Sequence, residues 1–202
     1  MPKKVKVDLP LAPLADLINW WQSQNVSGLI IGGLAVALLG RPRVTRDIDA
    51  LVLLAEDRWQ GFMNSGVAFG FVARHSDALA FAREARVLLL SHQPTGIDLD
   101  IAFGCLPFEE EAVARAIVME VAGVSVPLPT PEDLVIMKAV AHRDRDLLDI
   151  EGLLAAHPGL DVRRVNRWVQ AFADAFDMPE IQDDLQQRLP RPPSRKRGKG
   201  KT

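Results

Sequence analysis

The stretch from Ile30 to Val52 reads IIGGLAVALLGRPRVTRDIDALV, and it is the most informative part of the chain for the fold. The apolar run 27–31 ends at a glycine pair and is typical of a buried strand. A second run, 47–54, alternates polar and apolar residues at its start and is then continuously apolar, as in a strand that enters a core. Residues 34–39 have room for only a small helix between them. The stretch therefore predicts a strand, a short helix and a second strand.

The glycine pair is Gly32-Gly33, directly after the first predicted strand. Without side chains, the two residues would let the backbone approach a bulky anion, and the N–H groups of a following helix start could hold phosphate. A simple turn would need the same two residues. The pair by itself leaves both interpretations open.

Two acids, Asp47 and Asp49, open the second strand. Residues two apart on a strand point to one face, with Cα atoms roughly 7 Å apart. Such a pair is unfavourable at a core strand unless a positive charge lies between the carboxylates, and a divalent cation would supply one. The alternative pairs Asp47 with Arg43 or Arg46 and makes Asp49 the cap of a turn.

A third carboxylate would favour the metal, because two-metal phosphoryl chemistry usually takes ligands from more than one strand. The run Ile97-Asp98-Leu99-Asp100-Ile101 supplies two candidates in another alternating strand. An exposed sheet face would also tolerate acids there. Asp98 and Asp100 are both candidates on pattern alone.

The remaining elements follow from periodicity and from Gly and Pro punctuation. Thr130-Pro131 marks a helix start, after which every segment to residue 189 has a helical pattern. We predict an α+β fold in which a mixed sheet flanked by helices precedes a small C-terminal helical unit. The other predicted elements are helices over 11–24, 56–64, 77–86 and 107–116, strands over 69–73, 87–91 and 97–103, and a hairpin over 118–126.

The predicted division is a catalytic unit over 1–128, a helical unit over 129–190 and a disordered basic tail over 191–202. The chain has 202 residues, 48% of them hydrophobic and 25% charged, which is an ordinary globular mixture. Six of its 24 basic residues and none of its 26 acids lie in the tail. The remaining 18 bases face 26 acids, so the body carries a charge of −8. This argues against a broad nucleic-acid-coating surface, although the tail could touch phosphates locally.

The expected location is the cytoplasm, without a membrane segment. No apolar run approaches the roughly 20 residues of a membrane span. The N-terminal lysines are not followed by the apolar region of a secretory signal. The only cysteine, Cys105, excludes an internal disulfide framework and fits a reducing compartment.

A second constellation lies over residues 134–154. On one continuous helix, Lys138, His142, Arg145 and Asp149 would form a stripe with Asp146 at its edge. A solvated helix face with ordinary pairs such as Arg145–Asp149 is the alternative. A break of the helix near Asp144 would also spoil the single stripe.

The combination of motifs resembles the polymerase-β-like nucleotidyltransferase superfamily. Its marks are the Gly-Gly pair, thirteen intervening residues, Asp-Ile-Asp and a later hydrophobic-Asp-hydrophobic strand. The form Arg43-x-Thr45-x-Asp47-Ile-Asp49 is similar to a small bacterial branch that includes AbiEii-type toxins and minimal nucleotidyltransferases. The resemblance covers about residues 28–155.

The resemblance implies a site that holds two Mg²⁺ ions and a nucleoside triphosphate. Asp47 and Asp49 would be metal ligands, and Asp100, preferred to Asp98, the third ligand or the base for the incoming hydroxyl. The implied nucleotide-site residues are Gly32, Gly33, Arg43, Thr45, Lys138 and Asp146, the last as a site-organising acid.

The implied reaction moves a nucleoside monophosphate to a hydroxyl of RNA or tRNA, a protein or a small molecule. A role as the toxin of a toxin–antitoxin pair belongs to the same expectation. The alternative is a non-catalytic antitoxin or regulatory partner that keeps the fold and the nucleotide pocket.

Overall fold

The computed structural model describes residues 9–189 and has the α+β organisation expected from the sequence. The strands are β1 Ser27–Ile31, β2 Asp47–Leu53, β3 Phe71–Ala73, β4 Val87–His92, β5 Ile97–Phe103, β6 Ile117–Val121 and β7 Val124–Leu128. The helices are α1 Leu11–Ser23, α2 Gly32–Leu39, α3 Trp59–Gly66, α4 Ala78–Ala85, α5 Pro107–Ala114, α6 Pro131–Ala141, α7 Asp144–Ala156, α8 Val162–Phe176 and α9 Pro179–Arg188. Short 3₁₀ segments at Glu56–Arg58 and Val67–Phe69 flank α3. The predicted order of elements is confirmed, and the helical pattern over 134–154 is divided between α6 and α7.

The main sheet has five strands in the order β1-β2-β5-β4-β3. Its central pair, β2 and β5, is parallel, whereas every other neighbouring pair is antiparallel. The hairpin β6–β7 forms a second, two-stranded sheet. Because β2 and β5 run in the same direction, their two acid-bearing N-terminal ends lie side by side.

Both faces of the central strands are used. Ile48, Leu99 and Ile101 are fully buried, as the alternation of β2 and β5 predicts. On the other face, the strand ends carry acids and the strand interiors carry apolar residues such as Leu51. The same face of the sheet is therefore polar at one end and apolar further along.

One hydrophobic cluster joins the sheet to the helices on both sides of residue 128. Trp20 stacks on Phe62 with ring centroids 4.2 Å apart, and Trp59 stacks on Phe103 at 3.9 Å. Such stacked pairs add to the burial of their large apolar surfaces. The division into units at residue 128 stays a prediction.

The single stripe over residues 134–154 does not form, because the helical pattern breaks close to Asp144, as the sequence allowed. Helix α6 ends at Ala141, and His142 takes a left-handed conformation with φ 51°. The side chain of Asp146 then accepts a hydrogen bond from the backbone N–H of Arg143, which caps the start of α7. The break turns α7 back, so the two ends of the expected stripe lie on different helices.

No helix within residues 9–189 is long and apolar enough to cross a membrane. The N-terminal lysines and the basic tail lie outside the described residues.

Candidate active site

Four carboxylates lie on one face of the sheet where β2 and β5 begin. Asp47 is in register with Asp98, and Asp49 with Asp100. Residues in register on neighbouring strands share a face and lie roughly 5 Å apart, and the next pair on that face is two residues further along. The acids that the sequence placed on two separate strands are therefore brought together as two adjacent pairs.

Asp47 is oriented by the loop that precedes β2. The buried hydroxyl of Thr45 lies 2.8 Å from Oδ1 of Asp47, to which it donates a hydrogen bond. Thr45 therefore contacts the first acid directly, while its neighbours Arg43 and Arg46 face the adjoining cleft.

Asp49 packs against the glycine pair. Gly32 has φ +59°, and a Cβ built there would lie 1.8 Å from Oδ2 of Asp49, so that no side chain fits. The backbone N–H of Gly33 favours the ionised form of the Asp49 carboxylate and so lowers its pKa against the larger effect of burial. A Cβ on Gly33 would lie 2.8 Å from both Nη2 of Arg43 and Oγ1 of Thr45. In this structure the glycines make room for the carboxylate and for the side chains of the following loop.

Like charges are concentrated around Asp49. Burial raises the pKa of Asp49 above its ordinary 3.8, and the neighbouring carboxylates of Asp47 and Asp100 raise it further. Burial likewise raises the pKa of Asp100, and the positive charge of Arg74 offsets only part of that rise. A nearby cation would stabilise the ionised form of both carboxylates.

Arg74 is a site residue that the sequence analysis missed. Its guanidinium forms ion pairs with Asp100 and, at 3.1 Å, with Asp98. It follows the three-residue strand β3, and no motif marks it; only the antiparallel packing of β3 on β4, and of β4 on β5, brings it to the acids. Asp100 lines the adjoining cleft, which favours it as the third functional carboxylate.

Lys138 is almost fully buried on α6 and joins two acids of α7. Its Nζ lies 2.6 Å from Oδ1 of Asp146 and 3.0 Å from Oδ2 of Asp149. Burial alone would raise the pKa of Asp146, but hydrogen bonds from Arg143 and Lys138 lower it below its ordinary value. Arg43 pairs with Asp149 at 3.4 Å, so this network ties the loop before β2 to both helices.

The carboxylates open into a cleft of about 720 Å³. Four arginines line it, and three of them, Arg46, Arg143 and Arg145, were not among the predicted site residues. Charge-rich stretches at 41–46 and 143–146 are their only mark in the sequence. The remaining lining residues are Gly33, Val44, Thr45, Asp47, Asp49, Asp100, Lys138 and Asp146.

The donor chemistry of the site fits a hard divalent cation, which prefers carboxylate oxygens. Within residues 9–189, no three His, Cys, Asp or Glu side chains already converge as metal ligands. The reason is local, because Thr45 holds Asp47, Gly33 holds Asp49, and Arg74 holds Asp98 and Asp100. A cation placed among the carboxylates would compete with these partners, and it would favour the ionised form of Asp49, whose pKa is raised by burial and then by the neighbouring carboxylates.

A mixed sheet with acids on two parallel strands beside an arginine-lined cleft is the arrangement expected of a nucleotidyltransferase. Residues 14–183 match the model of a family described as "Nucleotidyltransferase of unknown function (DUF6036)", and the chain belongs to that family. The predicted superfamily and enzyme class are thereby confirmed.

Solved structures show the same fold at low sequence identity. The solution structure of the antibiotic-resistance factor ANT(2'')-Ia is 17% identical, with a TM-score of 0.56 over 87% of this chain and 97% of that chain. A crystal structure of ANT(2'')-Ia with adenylyl-2''-tobramycin is 19% identical, with a TM-score of 0.53 over 80% and 95%. An antigenic nucleotidyltransferase-like protein from Paracoccidioides brasiliensis is 14% identical, with a TM-score of 0.50 over 89% and 93%. A search of curated proteins found no match.

Proposed function

We propose that this protein is a divalent-cation-dependent nucleotidyltransferase that moves a nucleoside monophosphate from a nucleoside triphosphate to a hydroxyl group. The observation that carries the proposal is the pair of in-register carboxylate rows beside a cleft lined by four arginines. Acids alone would repel a triphosphate, and arginines alone would bind any polyanion. Acids next to arginines suit a nucleoside triphosphate that binds together with its divalent cations.

Each group has an assigned part. Asp47, Asp49 and Asp100 would hold Mg²⁺ ions, which when bound would neutralise phosphate charge and polarise the α-phosphate. The triphosphate would lie in the cleft against Arg43 and the Gly33 backbone, with the remaining arginines at its outer wall. Lys138 and Asp146 would keep α6 and α7 in position around it.

The reaction is an in-line displacement at the α-phosphorus. The acceptor oxygen forms a bond to phosphorus while the bond to the oxygen bridging the α- and β-phosphates breaks, and pyrophosphate leaves with that electron pair. Asp100 is proposed to take the proton of the acceptor hydroxyl.

The acceptor is RNA, a protein or a small molecule. The fold neighbour whose structure contains adenylyl-2''-tobramycin supports a small molecule, and a basic tail would support RNA. Incubating the protein with each α-labelled nucleoside triphosphate and Mg²⁺, in the presence of total RNA, lysate proteins or small hydroxyl compounds, would show which fraction takes the label.

Matched variants test the site. Asp47→Asn and Asp49→Asn should each lower transfer roughly 100-fold or more. Asp57→Asn, an exposed acid next to α3, should leave it unchanged. Equal nucleotide transfer by the wild type and all three variants would refute the assignment of Asp47 and Asp49 to the site. Nucleotide binding without release of pyrophosphate would identify a non-catalytic partner instead.

A toxin role has a separate test. Expression of the chain without its neighbouring reading frame should arrest growth in the wild type and not in Asp47→Asn. Equal growth of both strains would refute that role while leaving the transfer reaction standing.

A further inference from the structure

An apolar cavity lies directly beyond the carboxylates on the same face of the sheet. Leu51 follows Asp49 by two residues on β2, Ala102 follows Asp100 by two on β5, and these two residues are in register with each other. Ile31 of β1 is in register with Asp49. The floor of the cavity is therefore the next pair after the acidic pairs, roughly 7 Å further along the strands.

The walls of the cavity come from three helices. Met137, Val140 and Ala141 of α6 line one side, next to Lys138, which lines the nucleotide cleft. Phe108, at the start of α5, and Phe172 of α8 are in edge-to-face contact at 5.6 Å. The cavity and the cleft thus share helix α6 and the strands β2 and β5.

The opening of the cavity is apolar and exposed. Leu106 is 41% exposed and Phe176 is 51% exposed, and both line the cavity. The ring of Phe176 lies 5.8 Å from that of Phe172, so aromatic surface extends from the opening inward. Large apolar side chains left exposed around a concavity are typical of a binding site.

The lining offers few partners to a charged ligand. Its one ionisable residue is Glu109, whose Oε2 already accepts the backbone N–H groups of Cys105 and Leu106 at 2.7 and 2.8 Å. A phosphate would meet no cation there, and a ligand with several ammonium groups would meet only this one carboxylate, so burial of either is strongly unfavourable. The volume is about 260 Å³. A cavity of about 150 Å³ holds benzene, so the space fits a body of one ring with a short substituent.

We propose that this cavity, lined by residues from β1, β2, β5, α5, α6 and α8, binds the apolar body of the acceptor. The acceptor is then an uncharged small molecule with a ring and a hydroxyl group, the hydroxyl directed along the sheet toward Asp100. The inference rests on the proposed transfer reaction and names its acceptor class. An acceptor of this kind would distinguish the proposed reaction from the modification of a polycation or of RNA.

The test measures binding of 2-phenylethanol to the full chain by saturation-transfer NMR titration, with Mn²⁺–nucleotide binding measured on the same samples. Ala141→Trp places a large ring at the exposed end of α6, inside the cavity, and should weaken 2-phenylethanol binding at least about tenfold. Ala155→Trp, at the exposed end of α7, is the matched control and should bind as the wild type does. Phe176→Ser, at the opening, should weaken 2-phenylethanol binding about threefold. This exposed substitution tests the same cavity if Ala141→Trp does not fold.

The outcomes separate the two proposals. Loss of 2-phenylethanol binding in Ala141→Trp, with nucleotide binding retained, supports the acceptor cavity. Equal binding by Ala141→Trp and Ala155→Trp, no binding by the wild type, or binding of tobramycin that Ala141→Trp abolishes would overturn it while leaving nucleotide transfer intact. Wild-type protein that binds 2-phenylethanol but no nucleotide would overturn the proposed function instead.

Discussion

Replacing Arg74 by alanine should tighten divalent-cation binding. Its guanidinium is paired with Asp98 and Asp100, and a cation that binds Asp100 must displace or repel it. A hydrogen bond to a charged group contributes about 1.5–3 kcal/mol in favourable cases. Because the two carboxylates are 46% and 40% exposed, solvent screening reduces both pairs well below that range. A total of about 0.4–2 kcal/mol for the two together predicts a roughly 2- to 30-fold lower Kd for Mn²⁺.

The assay is a Mn²⁺ titration followed by EPR, with Mg²⁺ as competitor. Arg83→Ala is the control, because Arg83 forms an exposed pair with Glu56 outside the cleft. Without cations, Arg74→Ala should also melt at a lower temperature than the wild type, since its acids are left unneutralised, and Mn²⁺ should raise its Tm by more. An unchanged or higher Kd for Mn²⁺ in Arg74→Ala would refute the view that Arg74 and a cation compete for the same carboxylates.

Three further predictions concern the residues around the acids. Gly32→Ala should destabilise the protein by about 1–3 kcal/mol or more in urea unfolding, since it combines a left-handed φ with a collision against Asp49. The control Gly61→Ala, in open space on α3, should be neutral or stabilising. Equal stabilities of the two variants would contradict the prediction. Lys138→Met should lower the free energy of unfolding by about 1–3 kcal/mol, because two buried carboxylates lose their shared ammonium and each keeps only one arginine, Arg143 or Arg43. A loss of less than about 0.5 kcal/mol would show that the Lys138 pairs are dispensable. Because the pKa of Asp49 is raised, protons should begin to displace Mn²⁺ at a higher pH than an ordinary aspartate would allow. The pKa of Asp146 is lowered, so its contribution to stability, present at neutral pH, is lost only as the pH falls through that low value. Mn²⁺ titrations and thermal unfolding between about pH 4 and pH 8, which span the ordinary carboxylate range and neutrality, would check both directions.

The alternation at Asp47–Leu54 was enough to predict a strand with two acids on one face. The same reasoning worked for Asp98 and Asp100, because period-two patterning is a local property of the chain. It could not show that the two acidic pairs meet, since that depends on β2 and β5 being parallel neighbours in register. It allowed a break near Asp144 but could not establish it, since the break depends on a left-handed conformation at His142 and a cap formed by Asp146.

The sequence by itself determined the order of the elements and the acid-bearing strands, because these follow from short-range periodicity. Its motifs also resemble those of nucleotidyltransferases, and the family match confirms that class. The tertiary structure decided which charges meet. Arg74 reaches Asp98 and Asp100 through two antiparallel strand pairings, Lys138 is buried between two acids of the next helix, and apolar residues from six elements enclose the cavity beside the acids. Each of these contacts joins residues far apart in the chain, so it depends on how the elements pack rather than on the pattern of any one of them.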